Sequence, residues 1–292
     1  MRARAGDRGR PGAGPPPGGA SHGEGADRPA GAAEALTSPL LARAGFAHAF
    51  FTRRGGVGRA PWDTLSFTVS SGDEPEAVAE NRARAARVLG VSPARLYYLS
   101  QVHGVASVQL AGDEDPDEVV RRVGDVTLSR VGGVACGVRS ADCVPVLVGD
   151  RASGAAVAVH SGWRGTVQDV VSAAVAALRR LVGEQRLEPV AAIGPHIETC
   201  CFEVGPEVAE QLAAASSRGA AAVVAGQGRP HVDLRAVIHA QLEGAGVAPA
   251  DVDDVRGCTV CDAERFFSFR RDGQRSGRLL SAIVAGRRPG AG

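Results

Sequence analysis

Apolar positions along this chain recur in two rhythms, short continuous runs and positions spaced three or four residues apart. The runs Val134–Val138, Val144–Val148, Ala155–Val159 and Val190–Ile193 have the length and β-branched content of buried strands. Between the second and third lie Asp150-Arg-Ala-Ser-Gly154, a length and composition suited to a hairpin. Spaced apolar positions mark helices. Ala77, Val78, Ala85, Val88 and Leu89 share one face that stops at Gly90, within Glu76–Leu89. Val167, Val170, Val171, Ala174, Val175, Leu178, Leu181 and Val182 share another that stops at Gly183, with Thr166 placed as its cap and Asp169 near its third position. Glu207–Ala215 and Leu234–Leu242 also read as helices, and Phe266–Phe269 as a short strand. A hairpin together with strands alternating with helices predicts an α+β fold (α/β-like), a mixed β-sheet with flanking helices in a single domain.

Composition adds the boundaries. Residues 1–31 hold nine Gly and five Pro and no Val, Ile, Leu, Phe, Tyr or Trp. Such a segment buries too little apolar surface to offset its ordering entropy, so residues 1–37 are assigned to a disordered Gly/Pro/Arg-rich tail and 38–288 to the folded domain. All 33 basic residues are Arg and face 32 acids, a net charge of +1 that gives no electrostatic reason to expect a nucleic acid or an anionic membrane as partner. No apolar run reaches the length of a bilayer span, and the N-terminal residues lack the apolar stretch of a secretory signal, so a soluble cytoplasmic protein is expected. In that setting the six Cys are thiols or metal ligands rather than a disulfide framework. No motif fixes an oligomeric state.

Four tight turns carry reactive side chains at apparent strand ends: Gln101-Val-His-Gly104, Ser140-Ala-Asp-Cys-Val-Pro145, His160-Ser-Gly-Trp-Arg-Gly165 and Gly257-Cys-Thr-Val-Cys261. A Cys entering a strand most often serves as a small buried hydrophobe. The hairpin changes that reading for Cys143, because an antiparallel pair puts the end of one strand beside the start of the other and so sets His160 next to Cys143. His103 offers a second imidazole and so a third ligand, and a His, Cys, His set suits a tetrahedral zinc with an open fourth position. Trp163 and Arg164 lie between His160 and a helix start, which makes either an anion pocket or a tight turn plugged by Trp. Arg53-Arg54 before a Gly pair says little alone. Cys258 and Cys261 form a C-x-x-C pair with no second pair to close a zinc ribbon, so a structural or incidental role is expected for them over metal or redox work, and the adjacent Cys200 and Cys201 would point to opposite faces of a strand and not both serve one small site. Residues 265–288, with seven Arg and one Asp, read as a basic solvated rim, with a phosphate contact as the alternative. Dinucleotide, P-loop, HExxH and serine-hydrolase signatures are absent from the sequence.

Taken in order, the motifs resemble the laccase-domain family, once called multicopper polyphenol oxidases and now read as zinc-dependent purine nucleoside phosphorylases. The resemblance spans residues 46–278 through Phe51-Thr-Arg-Arg-Gly-Gly-Val57, Gly72-Asp73 with Glu80-Asn-Arg82, Gln101-Val-His-Gly104, Asp125-Val-Thr127, Ala141-Asp-Cys-Val-Pro145, His160-Ser-Gly-Trp-Arg-Gly-Thr166, Ile193-Gly-Pro195 with Phe202-Glu-Val-Gly205, Asp233-Leu234, Cys258-Thr259, Phe267-Ser-Phe-Arg-Arg271 and Gly277-Arg278. It implies a zinc held by His103, Cys143 and His160, with Arg53 as a substrate or phosphate contact and Asp142 and Arg164 lining the site. It also implies phosphorolysis of adenosine, inosine, guanosine or methylthioadenosine, with purine nucleoside and phosphate as partners and adenosine deamination as a side activity. The chain departs from the family pattern at His196, where a Cys is usual after Ile-Gly-Pro, and at Gly58 and Ser66.

Three rival readings stay open at this point. Copper oxidation of phenols is chemically compatible with two His and a Cys, but seven His, one of them in the tail, are few for several copper centres. A metal-free thiol hydrolase would use Cys143 as nucleophile and His160 as base. A non-catalytic module would use zinc only to tie loops together.

Overall fold

The computed structural model describes residues 31–183, 186–225 and 228–286. The tail expected over residues 1–37 therefore falls outside the described residues except for its last seven, and these are not all tail. Ala35–Leu36 (β1) pairs antiparallel with His48–Phe51 (β2), and Thr52 N donates to Glu34 O. Folded chain thus begins before the expected boundary at residue 38, because Leu36 has apolar neighbours to pack against.

Two sheets make the body of the fold, an α+β arrangement in one domain as expected. The first has the order β1, β2, Leu279–Val284 (β13), Ala135–Ser140 (β6) and Leu96–Tyr97 (β3). The second runs Val252–Asp254 (β12), Pro189–Ile193 (β9), Val144–Asp150 (β7), Ala156–Ser161 (β8), Val126–Ser129 (β5) and Ser107–Gln109 (β4). It is mixed: β12 and β9 are parallel, as are β5 and β4, and the other pairings are antiparallel. A two-stranded ribbon, Val223–Val224 (β10) with His231–Val232 (β11), stands apart from both sheets.

Period-two alternation explains the layering. Val144, Val146 and Val148 of β7, with Val157 and Val159 of β8 and Ala191 and Ile193 of β9, pack against the helices Val170–Val182 and Leu234–Gly244. The alternate residues, Leu147, Ala156, Ala158, Val190 and Ala192, face the first sheet and meet Phe50, Tyr97, Val138 and Ile283. Small residues on that face let the sheets approach: a Cβ on Gly149 would run into the Phe46 ring. The outer face of the first sheet is covered by Pro75–Leu89, whose Ala85, Ala86 and Leu89 sit over Leu280, Ala282 and Val284. That helix ends where expected, with Gly90 at φ 74° in the left-handed region glycine favours.

Two sequence expectations need correction. The segment after β8 does not run into one helix capped by Thr166. Trp163–Val167 forms its own short helix, inside which Thr166 Oγ1 donates to Gly162 O, and Asp169 caps Val170–Val182 by accepting from Ser172 N. Phe266–Phe269 is not a strand. Phe266 and Phe267 are buried, but Ser268 caps a short helix over Phe269–Asp272, and its hydroxyl accepts from Arg271 N. Strands β2, β5 and β13 were not marked by periodicity, although β13 is the centre of the first sheet.

Candidate metal centre

The hairpin register sets the site. Strands β7 and β8 pair Pro145 with His160 and Val144 with Ser161, so Cys143, one residue before β7, lies at the same sheet end as the imidazole. His103 arrives from the loop after β3 in a left-handed conformation, φ 62°. One ligand atom from each of His103, Cys143 and His160 falls within 4.8 Å of the others. Cys143 Sγ is 3.6 Å from His103 Nε2, and the two imidazole rings stand edge to face with centroids 4.9 Å apart.

A single buried carboxylate organises this trio. Asp125, at the start of β5 and fully buried, accepts the backbone N–H groups of Val102 (3.2 Å), His103 (2.9 Å) and Gly104 (2.7 Å). The same group takes His160 Nδ1 at 2.8 Å. An ionised carboxylate is acceptor-only, so Nδ1 carries the proton and the lone pair of Nε2 is aimed at the site. Burial alone would raise the Asp125 carboxyl, but these hydrogen bonds and the His160 charge hold it below the usual carboxylate range. Asp125 belongs to the Asp125-Val-Thr127 motif, yet nothing in its spacing marked it as the group that fixes two of the three ligands.

Donor chemistry fits zinc. Bond lengths of about 2.3 Å for Zn–S and about 2.0–2.1 Å for Zn–N put a sulfur and a nitrogen about 3.6 Å apart at the tetrahedral angle, which is the Cys143–His103 separation. The thiol is also ready to ionise. Burial alone would push Cys143 up, but the His160 charge and hydrogen bonds with both imidazoles bring it down to about 6. In turn, burial alone would lower His160, while the Cys143 thiolate and the Asp125 carboxylate raise it to about 9. Gly162 makes room for the cluster, since a Cβ there would overlap the His103 ring and lie 3.0 Å from Cys143 Sγ.

Above the trio opens a cavity of about 550 Å³, within the range of small-molecule sites. Among the residues that line it are four arginines, Arg139, Arg164, Arg270 and Arg278, and three aromatic residues, Trp163, Phe202 and Phe269. Arg164 is exposed, stacks on Trp163 at 4.4 Å, and has no acidic partner among the described residues. The Arg278 guanidinium donates to the carbonyls of Ser276 and Gly277 and lies 5.7 Å from the Phe269 ring centroid; burial lowers its pKa, and the Cys143 and Asp142 charges support its ionised form.

Asp142 lines the cavity, but both its carboxylate oxygens are engaged: Oδ1 accepts from Thr259 Oγ1 and Oδ2 from Arg270 N, each at 2.6 Å. It sits at φ 93°, a strained conformation for a non-glycine residue that these bonds and Ile197 N on its carbonyl maintain. Asp142 is therefore a clamp that presents Cys143. Arg53 does not reach the cavity. Its guanidinium donates to Asp63 O (2.7 Å), Asp63 Oδ1 (3.0 Å), Ala263 O (3.1 Å) and Pro61 O (3.3 Å), and lies 4.4 Å from the Phe267 ring. Arg53, expected as a substrate or phosphate contact, is thus held in a loop tie, and the arginines that line the cavity are Arg139, Arg164, Arg270 and Arg278. Arg270 and Arg278 belong to the arginine-rich stretch 265–288, where a phosphate contact is the alternative to a solvated rim.

His196, at one of the departures from the family pattern, is buried against Gly194 O and Arg235 rather than in the metal cluster. Among the described residues no helix is long and apolar enough to cross a membrane.

A family model described as multi-copper polyphenol oxidoreductase laccase matches residues 47–286. The purine nucleoside phosphorylase SCO2081 of Streptomyces coelicolor is 42% identical over 238 residues, covering 81% of this chain and 95% of that protein. A purine nucleoside phosphorylase of Pseudomonas aeruginosa, PA4543, is 38% identical over 80% of this chain and 90% of its own. Among solved structures, YlmD from Geobacillus stearothermophilus superposes with a TM-score of 0.78 at 28% identity, over 86% of this chain and 94% of that one.

Proposed function

This chain belongs to the multi-copper polyphenol oxidoreductase laccase family, and from that premise we propose that it is a purine nucleoside phosphorylase whose His103, Cys143 and His160 hold zinc. The observation that carries the reading is the juxtaposition in one cavity of a His-Cys-His cluster, an aromatic wall and Arg164, which has no acidic partner among the described residues. Relatives named purine nucleoside phosphorylase support the nucleoside and phosphate substrates.

Phosphorolysis joins a phosphate oxygen to C1′ of the ribose as the bond to the purine nitrogen breaks, and the base leaves with the bonding electrons and takes up a proton. Positive charge grows on the sugar and negative charge on the base. Arg164 and Arg278 supply fixed cations that bind the phosphate dianion and orient one oxygen toward the sugar. Trp163, Phe202 and Phe269 offer apolar faces on which a purine stacks and which exclude water from the reacting bond. Asp125 and Asp142 touch no substrate in this scheme; they hold His160, the His103 loop and Cys143 in position. A bound zinc would supply Lewis acidity at its open position and, by lowering the pKa of water toward about 7, would also permit adenosine deamination as a side activity.

Copper oxidation of phenols draws support from the family description but needs several centres. Among the described residues the other cluster of metal-ligating side chains is made of Cys alone. The ionisable Cys143 beside His160 favours one rival, a thiol hydrolase without metal. Purified protein given adenosine or inosine should release the free base and ribose 1-phosphate only when phosphate is present, with loss of turnover on chelation and recovery with zinc. Phosphate-independent release, or no release at all, would overturn phosphorolysis, and full activity in chelator would favour the thiol chemistry.

A further inference from the structure

Far from the His103 ligand in sequence, the chain gathers four more cysteines. Cys200 and Cys201 lie in the turn that follows β9, and Cys258 and Cys261 in the turn that follows β12. All four sulfur atoms lie within 4.8 Å of one another; Cys201 Sγ is 3.3 Å and Cys200 Sγ 3.6 Å from Cys261 Sγ. The sequence expectation that adjacent Cys200 and Cys201 point apart holds for a strand and fails here because the chain turns at this point, with the N–H groups of Cys201 and Phe202 both donating to Glu198 O. The two turns are locked together by backbone: His196 and Cys258 form a parallel bridge, and Thr259 N donates to His196 O.

We propose that Cys200, Cys201, Cys258 and Cys261 form a second metal site, a four-thiolate centre that takes zinc and staples the two turns together. Four sulfurs at about 2.3 Å from a tetrahedral zinc stand about 3.8 Å apart, and the observed spacings lie around that value. Every donor is a soft sulfur, the ligand type that selects zinc over harder cations. Among the described residues no carboxylate oxygen joins this cluster: Glu198 accepts from Arg235 and from Gly257 N, and Asp262 from Arg265. Loading is an exchange in which four thiols and one Zn²⁺ give a tetrathiolate centre and four protons. Its net double negative charge meets Arg270, which donates to Cys201 O, and Arg271, which donates to Thr259 O and Val260 O. Cys200 and Cys261 are exposed, which leaves the metal a route in.

The staple would act on the cavity through its walls. Phe202 follows Cys201, and Thr259, beside Cys258, holds the Asp142 clamp. The proposal goes beyond the phosphorylase reading and does not depend on it. Full-length protein from zinc-supplied cells, purified under reducing conditions, should contain two zinc per chain. Cys261→Ser and Cys200→Ser should each contain one, and Cys143→Ser should lose the other. Cobalt added to the metal-stripped chain should give an intense sulfur-to-cobalt charge-transfer band that survives in Cys143→Ser and falls several-fold in Cys261→Ser. Both Ser variants sit at exposed positions, so failure of the buried Cys258→Ser to fold leaves the test intact. A wild type with a single zinc that Cys261→Ser retains, an unchanged cobalt band in that variant, or peptide maps showing the four thiols paired as disulfides in the reduced preparation would each overturn the proposal.

Discussion

The carboxylate of Asp125 takes the Nδ1 proton of His160 at 2.8 Å while its oxygens also gather the three N–H groups of the loop that carries His103. One side chain thus fixes the tautomer of one imidazole and the backbone path of the other. Asp125→Asn keeps the volume, but its amide group turns a donor toward groups that are themselves donors. Loss of such an outer partner typically costs 10–100-fold in metal affinity or activity. We expect zinc affinity to fall by roughly that factor in Asp125→Asn, measured by competition with a chromophoric chelator; an unchanged affinity would show that the trio holds itself.

Gly162 sits where any side chain would enter the cluster. Gly162→Ala should leave the far-ultraviolet circular dichroism unchanged, because φ is −73° and ψ 166° at this position and alanine adopts both. Its methyl group must displace the His103 ring or Cys143 Sγ. Zinc affinity should drop roughly tenfold or more, on the scale of disturbed ligand geometry, and retention of wild-type affinity would mean that the ligand atoms converge elsewhere.

The arginines divide by what they touch. Arg164 lines the cavity with no acidic partner among the described residues, so Arg164→Ala should raise the phosphate KM by roughly 10–100-fold, the equivalent of one charge-assisted hydrogen bond. Arg53 has its donors committed to Pro61, Asp63 and Ala263. Arg53→Ala should leave the phosphate KM near wild type and reduce stability by about 1–3 kcal/mol. Steady-state kinetics in varied phosphate with denaturant melts of both variants checks the division; the reverse pattern would restore Arg53 to the phosphate site.

How far the sequence could anticipate this follows from what each signal measures. Strands β7 and β8 and their hairpin were legible because both lie in the core and read as continuous apolar runs, and from that hairpin the Cys143–His160 pairing follows by geometry. His103 was legible only as a free imidazole, since its approach depends on β3 and on Asp125, contacts that no local pattern encodes. Strand β13 was missed because its closest partners, β2 and β6, are far away in sequence. The four-Cys cluster was hidden for the same reason, as 61 residues separate Cys200 from Cys261. Arg53 was placed by motif likeness, which records a position in a family but not which way a guanidinium turns.

His196 gives the fold a pH dependence that can be isolated. It is 1% exposed, its Nδ1–H donates to Gly194 O at 2.8 Å, and burial followed by the Arg235 charge lowers its pKa to about 3. A histidine released on unfolding takes up a proton near pH 6.5. The folded protein therefore keeps this group neutral while the unfolded chain binds a proton between those values, so its contribution to stability is complete above about pH 6.5 and is lost as pH falls toward about 3. Between pH 7 and pH 5 the loss amounts to roughly 2 kcal/mol. His196→Gln retains a donor for Gly194 O and cannot titrate. Urea unfolding of zinc-loaded wild type and His196→Gln at pH 7 and pH 5 should show the wild type losing roughly 2 kcal/mol more than the variant over that interval. Equal losses would mean that His196 is protonated in the folded state and that Arg235 turns away to accommodate it.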